Sequence, residues 1–424
     1  MKNFAVIGNP TAHSRSPEIF QELFKRFGIE ANYFAVSLEK VEDIIGIMKK
    51  YGLSGVNITS PFKEEVFGFA DNYDPVAKEL KAVNLIMRRK DYFYGFNTDV
   101  YGVQHSLIFN NVEVKGKKCI VVGSGGAGKS AVYALKDMGG VVYCCNRTDW
   151  KAEKISKDFD CGFIEYNRLK NNLSDAFLLI LAVPEISQDI KDNLEGVIVF
   201  DANYRSSHLK EYCRRYIDGY EWLINQALKS FELFFDIKAD ARDIKKILID
   251  FKAKRNIAVT GPTGSGKTAY GKNIADHYGM DFIDTDDETE KRTGMKISEI
   301  FQTRGEAFFR KIEEEIISDI SENDNVIVSI GAGALSSEKN REIIKKNYFT
   351  ILLDIDPDLA NSRLNHTELS KRPLLFGKNL TEILDKMFKE RKDHYLSVAD
   401  IMIKISSNSA EHESGRIIKE LDGR

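Results

Sequence analysis

The sequence predicts an α/β protein built from at least two domains. Its 424 residues exceed the size at which a single hydrophobic core stops growing. Short apolar runs that end in Gly, Asn or Asp alternate with amphipathic stretches, and this order predicts mostly parallel sheets covered by helices. A charged, helix-like stretch at residues 240–254 interrupts the order, which begins again near Arg255. A second α/β unit is therefore expected from that point.

The predicted strands follow from the apolar runs, taken in chain order. The first unit contains FAVIG from Phe4, YFAVS, GVNIT, CIVVG from Cys119, VVYCC, FLLILAV and VIVFD. The second unit contains NIAVTG, DFIDTD, VIVSIG, FTILLDID and IMIKI. No repeat with a period of about 20–50 residues is present, which excludes a repeat array.

Composition excludes several classes of partner. The formal net charge is −3, so no large positive field is available to bind the phosphates of a nucleic acid. No apolar run reaches the roughly 18 residues of a membrane span, and the N-terminus lacks the apolar segment of a signal peptide. The five cysteines form no CxxC pair, which is typical of reduced thiols in the cytoplasm. We therefore expect a cytoplasmic protein that binds small molecules, and the sequence predicts no oligomeric state.

A phosphate-binding loop is predicted at the start of the second unit. The segment GPTGSGKT follows the strand NIAVT and leads into a helical stretch, which is the context that this motif requires. Its glycines let backbone N–H groups point into one concavity, where the helix N-terminus adds a positive dipole end. Lys267 would reach the β- and γ-phosphates of ATP, and Thr268 would ligate Mg²⁺. The nucleotide-binding residues are Gly261, Gly264, Ser265, Gly266, Lys267 and Thr268.

The second unit resembles shikimate kinase from Asn256 to about Ile405. The segments that carry the resemblance are DFIDTDDETEKRTG, GEAFFRKIEEE, GAGAL, KRPLL and KERKDHY, in the order of that family. The resemblance implies that Asp284 holds Mg²⁺ through water and that Asp286 binds the substrate hydroxyls and accepts a proton. It assigns the substrate carboxylate to Arg310 and Arg391, and it includes Gly333 among the substrate-binding residues. It assigns charge stabilisation to Arg372 in a lid at residues 365–378. The triple glycine of the family is Gly331-Ala332-Gly333 here.

A second glycine-rich segment, GSGGAGKS, satisfies both the GxGxxG pattern and the GxxxxGKS pattern. The following strand decides between them, because VVYCCNRT places Asn146, Arg147 and Thr148 where a dinucleotide fold meets the adenosine ribose. An acidic residue there would select NAD, whereas Arg147 can pair with a 2′-phosphate. The segment therefore predicts NADP(H) binding and not a second ATP loop. The predicted contacts are Gly123, Gly125, Gly126, Ala127, Gly128, Asn146, Arg147 and Thr148.

Residues 1 to about 250 resemble shikimate dehydrogenase. The resemblance is carried by GNPTAHSRSP, NITSPFK, KAVNLI, NTD, DANYR and INQALKSFELF. It implies that Lys63 and Asp99 are the catalytic pair, because a ketone that accepts hydride becomes an alkoxide and needs a proton donor. It assigns the carboxylate of the cyclic substrate to Ser14, Ser16 and Tyr204, and its hydroxyls to Thr59, Asn84 and Gln226. Val100, Leu181 and Glu221 depart from the family pattern.

The two resemblances predict three domains and one bifunctional enzyme of aromatic amino acid biosynthesis. The domains are a substrate-binding α/β domain at residues 1–101 that residues 225–252 complete, a Rossmann-type NADP domain at 102–224, and a P-loop domain at 255–424. The last is expected to have a parallel sheet and a fold like that of nucleoside-monophosphate kinases. The expected reactions reduce 3-dehydroshikimate with NADPH and phosphorylate shikimate with MgATP.

Two alternatives follow from the same residues. The departures at Val100, Leu181 and Glu221 favour a regulatory N-terminal module that binds shikimate or NADP without turnover. The phosphate-binding loop alone is also compatible with an NTPase that works on nucleic acid or as a switch. ATP consumption that does not depend on shikimate would favour that second alternative.

Overall fold

The computed structural model describes residues 1–204, 209–240, 244, 254–364 and 379–422. The strands in this part of the chain are Lys2–Gly8 (β1), Ala31–Ser37 (β2), Leu53–Ile58 (β3), Asn72–Tyr73 (β4), Leu85–Arg89 (β5), Tyr92–Phe96 (β6), Lys118–Val122 (β7), Val141–Cys145 (β8), Gly162–Phe163 (β9), Leu178–Leu181 (β10), Ile198–Asp201 (β11), Arg215–Ile217 (β12), Asn256–Thr260 (β13), Asp281–Asp284 (β14), Val326–Ser329 (β15), Tyr348–Ile355 (β16) and Ile401–Ile405 (β17).

The α-helices follow the strands in the alternation that the sequence predicts. They are Ser16–Phe27 (α1), Asp43–Tyr51 (α2), Pro75–Leu80 (α3), Asp99–Phe109 (α4), Gly126–Asp137 (α5), Asp149–Asp158 (α6), Gln188–Lys191 (α7), Gly219–Phe235 (α8), Lys267–Tyr278 (α9), Thr285–Thr293 (α10), Ile297–Thr303 (α11), Gly305–Ile320 (α12), Glu338–Asn347 (α13), Pro357–Arg363 (α14), Leu380–Val398 (α15) and Ala410–Asp422 (α16). Short 3₁₀ turns lie at Tyr166–Arg168, Lys170–Asn172 and Ala334–Ser336. In the described residues, no helix combines the length and apolar character needed to cross a bilayer.

The chain divides into two compact units. The first unit comprises residues 1–17, 30–52 and 252–424, and the second comprises residues 18–29 and 53–251. Residues near the N-terminus therefore belong to the same compact unit as the P-loop residues. The division into three domains, at residues 1–101, 102–224 and 255–424, stays a prediction from the sequence.

The first unit is organised around one parallel sheet. Its strands lie in the order β14-β15-β13-β16-β17-β2-β1, and every neighbouring pair is parallel. The pairing of β17 with β2 joins strands from opposite ends of the chain, with Ile401 opposite Ala35 and Ile403 opposite Ser37. The central strands β13, β15, β16 and β17 are almost continuously buried, as expected when helices cover both faces.

The second unit contains the Rossmann-type sheet. Its six parallel strands lie in the order β12-β11-β10-β7-β8-β9. Neighbouring residues of one strand belong to different apolar clusters: Val121 packs in one cluster, and Ile120 packs in the other. Because alternate side chains point to opposite faces, both faces of this sheet are buried. A smaller mixed group of strands in the same unit has the order β3-β5-β6-β4.

Candidate active sites

The phosphate-binding loop connects β13 to α9. Gly261, Gly264 and Gly266 have φ values of 145°, 84° and 91°, a region that favours glycine. A side chain at Gly261 would also meet the Leu353 carbonyl oxygen at 2.6 Å. Lys267 is the first residue of α9, and its Nζ donates to the carbonyl oxygens of Gly261 at 3.0 Å and Pro262 at 3.2 Å. The lysine is thus held over the loop, as phosphate binding requires.

The oxygen atoms of two side chains, Thr268 and Asp284, are suitable ligands for a magnesium ion beside this loop. The Thr268 hydroxyl donates to Oδ2 of Asp284 at 2.7 Å, and Oδ1 of Asp284 accepts from the backbone N–H of Asp286 at 2.9 Å. Asp284 ends β14 and caps α10, so its carboxylate has a fixed orientation. An oxygen-only pair next to a phosphate site suits Mg²⁺, which usually binds one or two protein oxygens together with substrate phosphates.

A single cavity of about 930 Å³ connects the phosphate loop with the predicted acid-binding residues. The predicted site residues in its wall come from five separate segments, and the sequence alone does not show that these segments meet. The predicted site residues in its wall are Gly264, Gly266, Lys267, Thr268, Asp284, Asp286, Arg310, Gly333 and Arg391. The predicted lid at residues 365–378, with Arg372, lies outside the described residues.

The glycine segment beside the cavity is closely packed. A side chain at Gly331 would lie 3.0 Å from Oδ1 of Asp286, and one at Gly333 would collide with the guanidinium of Arg310. Ala332, which departs from the family pattern, lies in the wall of the cavity, and its carbonyl oxygen accepts from the Tyr395 hydroxyl at 3.0 Å. Neither glycine position therefore has room for a side chain beside the predicted acid-binding residues.

Glu313 and Arg363 are among the residues in the cavity wall that the sequence did not predict. Glu313 accepts from Nη1 of Arg310 at 2.6 Å. Burial raises the pKa of the Glu313 carboxyl to about 7, although the positive charge of Arg310 acts in the opposite direction. Arg363 donates to the Ser265 carbonyl oxygen at 3.4 Å. Glu313 is one of three consecutive glutamates, so its type alone does not distinguish it. Its position three residues after Arg310 on α12 places both side chains on one helix face, and this spacing could have identified it.

The loop between β7 and α5 shows why its glycines are needed. Gly123 has a φ of 123°, and a side chain there would meet the Ala182 carbonyl oxygen at 2.6 Å. A side chain at Gly128 would overlap the Gly123 carbonyl oxygen. Gly125 stands at the N-terminus of α5, and Gly126 and Ala127 form its first turn. A tight turn into a helix N-terminus is the geometry that receives a dinucleotide pyrophosphate.

Asn146, Arg147 and Thr148 follow β8 at the same edge of the sheet. The backbone N–H of Gly123 donates to the Cys145 carbonyl oxygen at 2.9 Å, which brings the glycine turn and the end of β8 together. Arg147 is exposed, and its Nη2 donates to the Glu185 carbonyl oxygen at 2.8 Å. Its guanidinium is thus held by the segment that follows β10, and its pairing with a 2′-phosphate stays a prediction.

Lys63 and Asp99 form an ion pair in the second unit. Nζ of Lys63 lies 2.7 Å from Oδ2 of Asp99. The other oxygen, Oδ1, accepts from the indole Nε1 of Trp222 at 3.1 Å, a partner that the sequence did not predict. Asp99 is buried at the start of α4, and Gly126 lies directly against the Lys63 side chain. The lysine is thereby oriented by a carboxylate and lies beside the dinucleotide turn.

Several of the predicted hydroxyl-binding residues form a buried polar cluster in the same unit. Nδ2 of Asn84 donates to the Thr98 hydroxyl at 3.0 Å and to Oε1 of Gln226 at 3.4 Å. Gln226 lies on α8, which begins after Asp218, a residue whose carboxylate caps the helix. Thr59 follows β3 and is half-buried, and its carbonyl oxygen accepts from the backbone N–H of Phe62 at 3.1 Å. The ring of Tyr204 packs on Tyr220 with centroids 5.2 Å apart.

Ser14 and Ser16 belong to the first unit. They lie where the loop after β1 leads into α1, and the Ser14 hydroxyl accepts from the backbone N–H of Ser16 at 3.3 Å. The backbone N–H of Ser14 donates to the Thr11 carbonyl oxygen at 2.9 Å, which tightens the turn. Ser16 is buried, whereas Ser14 is partly exposed.

The three departures in the dehydrogenase-like part occupy packed positions. Val100 belongs to an apolar cluster of the second unit together with Val103 and Leu135. Leu181 ends β10 and is buried in the other cluster. Glu221 lies in the first turn of α8 and is also buried. Each departure is accommodated without disturbing the ion pair of Lys63 and Asp99.

Fold and sites together define a fused enzyme that joins a dinucleotide-dependent oxidoreductase to a P-loop kinase. The shikimate kinase family model matches residues 263–422, and the model of the shikimate dehydrogenase substrate-binding domain matches residues 6–86. The predicted α/β fold is confirmed by these matches and by the sheets described above.

Relatives cover each part almost completely. A shikimate kinase of Vibrio parahaemolyticus is 34% identical over 171 residues, which are 40% of this chain and 98% of the relative. A shikimate dehydrogenase (NADP⁺) of Pyrococcus abyssi is 30% identical over 263 residues, which are 59% of this chain and 98% of the relative. A Thermus thermophilus shikimate 5-dehydrogenase, solved with NADP(H) and shikimate, is 27% identical with a TM-score of 0.53 and covers 58% of this chain and 98% of its own. The chain therefore belongs to the shikimate dehydrogenase family in its N-terminal part and to the shikimate kinase family in its C-terminal part.

Proposed function

We propose that this chain reduces 3-dehydroshikimate to shikimate with NADPH and then phosphorylates the 3-hydroxyl of shikimate with ATP. The observation that carries the kinase assignment is the cavity of about 930 Å³ that a P-loop lysine shares with Asp286, Arg310 and Arg391. The observation that carries the reductase assignment is the ion pair of Lys63 and Asp99 beside the dinucleotide turn. Membership of both families supports one substrate for both sites.

In the kinase site, each residue is assigned to binding or proton transfer. Thr268 and Asp284 would hold Mg²⁺, which would supply positive charge beside the phosphoryl group of bound ATP. Arg310 and Arg391 would hold the carboxylate of the ring acid, since planar guanidinium groups bind carboxylates with two hydrogen bonds. Asp286 would orient the attacking hydroxyl and accept its proton. Lys267 would stabilise the charge that develops on the transferred group.

In the reductase site, Lys63 would donate a proton to the oxygen of the ketone, and bound NADPH would supply the hydride for its carbon. Asp99 holds the ammonium in place with one oxygen and is itself held by Trp222 through the other. Asn84 and Gln226 would bind ring hydroxyls, and Ser14, Ser16 and Tyr204 would bind the carboxylate. Arg147 would pair with the 2′-phosphate of NADP. We also propose a cytoplasmic location, which the five free cysteines support.

A one-pot assay tests both activities. Purified protein incubated with 3-dehydroshikimate, NADPH and MgATP should yield shikimate 3-phosphate, identified by mass spectrometry. The proposal would be contradicted if no phosphorylated product formed and if neither 3-dehydroshikimate nor NADPH were consumed. ATP hydrolysis in the absence of shikimate would instead favour a general NTPase.

A lysine variant separates the reductase from a regulatory binding module. Lys63→Ala should lower kcat for NADPH oxidation by about 100-fold or more, because the proton donor is lost. Phosphorylation of added shikimate should stay at the wild-type rate. Lys78→Ala, which removes an exposed lysine of α3, is the matched control. Wild-type protein that binds NADPH and 3-dehydroshikimate but turns neither over would favour the regulatory module.

A further inference from the structure

The C-terminal helix α16 contacts the loop that carries Ser14 and Ser16. Glu420 lies in the last turn of this helix, and its Oε2 accepts from the backbone N–H of Thr11 at 2.8 Å and of Ala12 at 2.9 Å. Thr11 is fully buried, and Glu420 is 3% exposed. Hydrogen bonds from amides to a buried carboxylate are stronger than those between neutral groups. One side chain of the kinase-like part thus fixes two consecutive amides of the substrate loop.

Hydrogen bonds within the loop connect the anchored residues to the two serines. The Thr11 carbonyl oxygen accepts from the backbone N–H of Ser14 at 2.9 Å, and the Ser14 hydroxyl accepts from the N–H of Ser16. A change in the position of Thr11 would therefore move Ser14, and through Ser14 also Ser16. If the carboxylate of Glu420 were removed, two amides would lose their acceptor, at a free-energy cost when those groups are buried.

Helix α16 is itself held firmly within the first unit. Ser414 accepts from Nδ2 of Asn273 at 2.8 Å, and Asp422 accepts from the Tyr278 hydroxyl at 2.7 Å, so two bonds tie it to the P-loop helix α9. At its start, the buried carboxylate of Glu413 accepts from the backbone N–H groups of Ser406 at 3.0 Å and Ser407 at 2.8 Å. Glu420 therefore projects from a rigid support.

We propose that Glu420, a residue of the kinase-like part, is a positioning residue for the reductase reaction. It holds the loop at residues 9–15 so that Ser14 and Ser16 present their hydroxyl groups to the carboxylate of the ring acid. This inference rests on the proposed reductase function and on the role assigned to the two serines. Its consequence is that the substrate affinity of one activity depends on the C-terminal helix of the other.

Steady-state kinetics of full-length variants test the proposal. With saturating NADP⁺, Glu420→Ala should raise the KM for shikimate oxidation about tenfold, because two charge-assisted hydrogen bonds are lost. Its kcat should stay within about twofold, since loop order affects binding more than the hydride step. Glu420→Gln keeps one oxygen that can accept both hydrogen bonds but removes the negative charge. Its KM should therefore be intermediate. Glu411→Ala removes an exposed carboxylate from the same helix and should have the wild-type KM.

Two controls make the outcome decisive. The kcat/KM for shikimate phosphorylation should be unchanged in all variants, which shows that the P-loop part is folded. Hydrogen exchange of a peptide that contains Thr11 and Ala12 should be slow in the wild type and faster in Glu420→Ala. A wild-type KM in Glu420→Ala, or an equal loss of both activities in Glu420→Gln and Glu420→Ala, would overturn the inference. If the wild type itself does not oxidise shikimate, the reductase proposal fails, and unaltered exchange in Glu420→Ala would then refute the positioning contact separately.

Discussion

Glu313 is a buried carboxyl beside the acid-binding arginine of the kinase site, and it gives a pH-dependent prediction. Burial raises its pKa from 4.5 to about 7. The folded state therefore binds the proton more tightly than the unfolded state, so the free energy of unfolding decreases as pH rises from 4.5 to 7. In Glu313→Gln the free energy of unfolding should fall by roughly 2 kcal/mol less than in the wild type between these pH values. Urea unfolding across that range measures the difference.

The matched control for Glu313 is Glu315→Gln, which changes an exposed carboxylate of the same helix. Its unfolding profile should run parallel to that of the wild type. A parallel profile for Glu313→Gln as well would mean that the buried carboxyl titrates in its ordinary range.

Arg147 gives a prediction about cofactor preference. Arg147→Asp should raise the KM for NADPH about tenfold or more, because it replaces a partner of the 2′-phosphate with a repelling charge. The KM for NADH should change little, since NADH lacks that phosphate. Initial rates with both cofactors measure the ratio. Arg168→Asp alters another exposed arginine of the same unit and should leave the ratio unchanged; an unaltered ratio in Arg147→Asp would assign the phosphate to another residue.

At the level of single residues, the sequence predicted those that stand in recognisable motifs. Lys63 and Asp99 were predicted as a pair, and the structure brings them together. Trp222 was not predicted, because its contact with Asp99 joins α8 to α4 and no local pattern records such a contact. Glu420 was missed for the same reason. Side chains that orient a site from a distant element carry no local signal in the sequence.

The packing of α2 against the P-loop sheet gives a prediction at the scale of elements. Asp354 of β16 accepts from Nζ of Lys50 at 2.6 Å and from the Tyr51 hydroxyl at 2.5 Å, and it is buried. Asp354→Ala should lower the free energy of unfolding of the first unit by about 3 kcal/mol, since it leaves the buried Tyr51 hydroxyl without its acceptor and removes the nearer carboxylate partner of Lys50. Urea unfolding followed by loss of kinase activity measures this.

Asp356→Ala is the control for that substitution. Asp356 lies 3.6 Å from the same lysine, but its side chain is 61% exposed. The expected loss is below about 1 kcal/mol, as for other surface ion pairs. Equal losses in the two variants would show that burial of Asp354 does not strengthen its interactions.

The sequence also predicted twelve of the seventeen strands in the described residues; β4, β5, β6, β9 and β12 were not predicted. Every apolar run named as a strand contains one, because alternation between buried strands and amphipathic helices is a local property. The pairing of β17 with β2 was not predicted, since nothing in either strand identifies a partner at the other end of the chain. The apolar pattern indicates that both strands are buried but does not indicate which neighbour buries them.

For the whole molecule, two activities on one chain should be separable by substitution. Lys267→Ala should abolish shikimate phosphorylation, because the lysine over the phosphate loop is lost, and should leave NADPH-dependent reduction within about twofold of the wild type. Parallel assays of both reactions on one preparation measure this. Lys272→Ala, an exposed lysine of the same helix, is the control. Equal loss of both activities in Lys267→Ala would contradict two separate sites.

The parallel pairing of β2 with β17 has a practical consequence for anyone who divides the gene. A fragment that ends near residue 254 would lack β17 and leave one side of β2 without hydrogen-bond partners. This side would be an open, apolar strand edge, and such edges recruit other chains. Co-expression of the two pieces, instead of isolation of either, is the course we would recommend for preparing split versions of this enzyme.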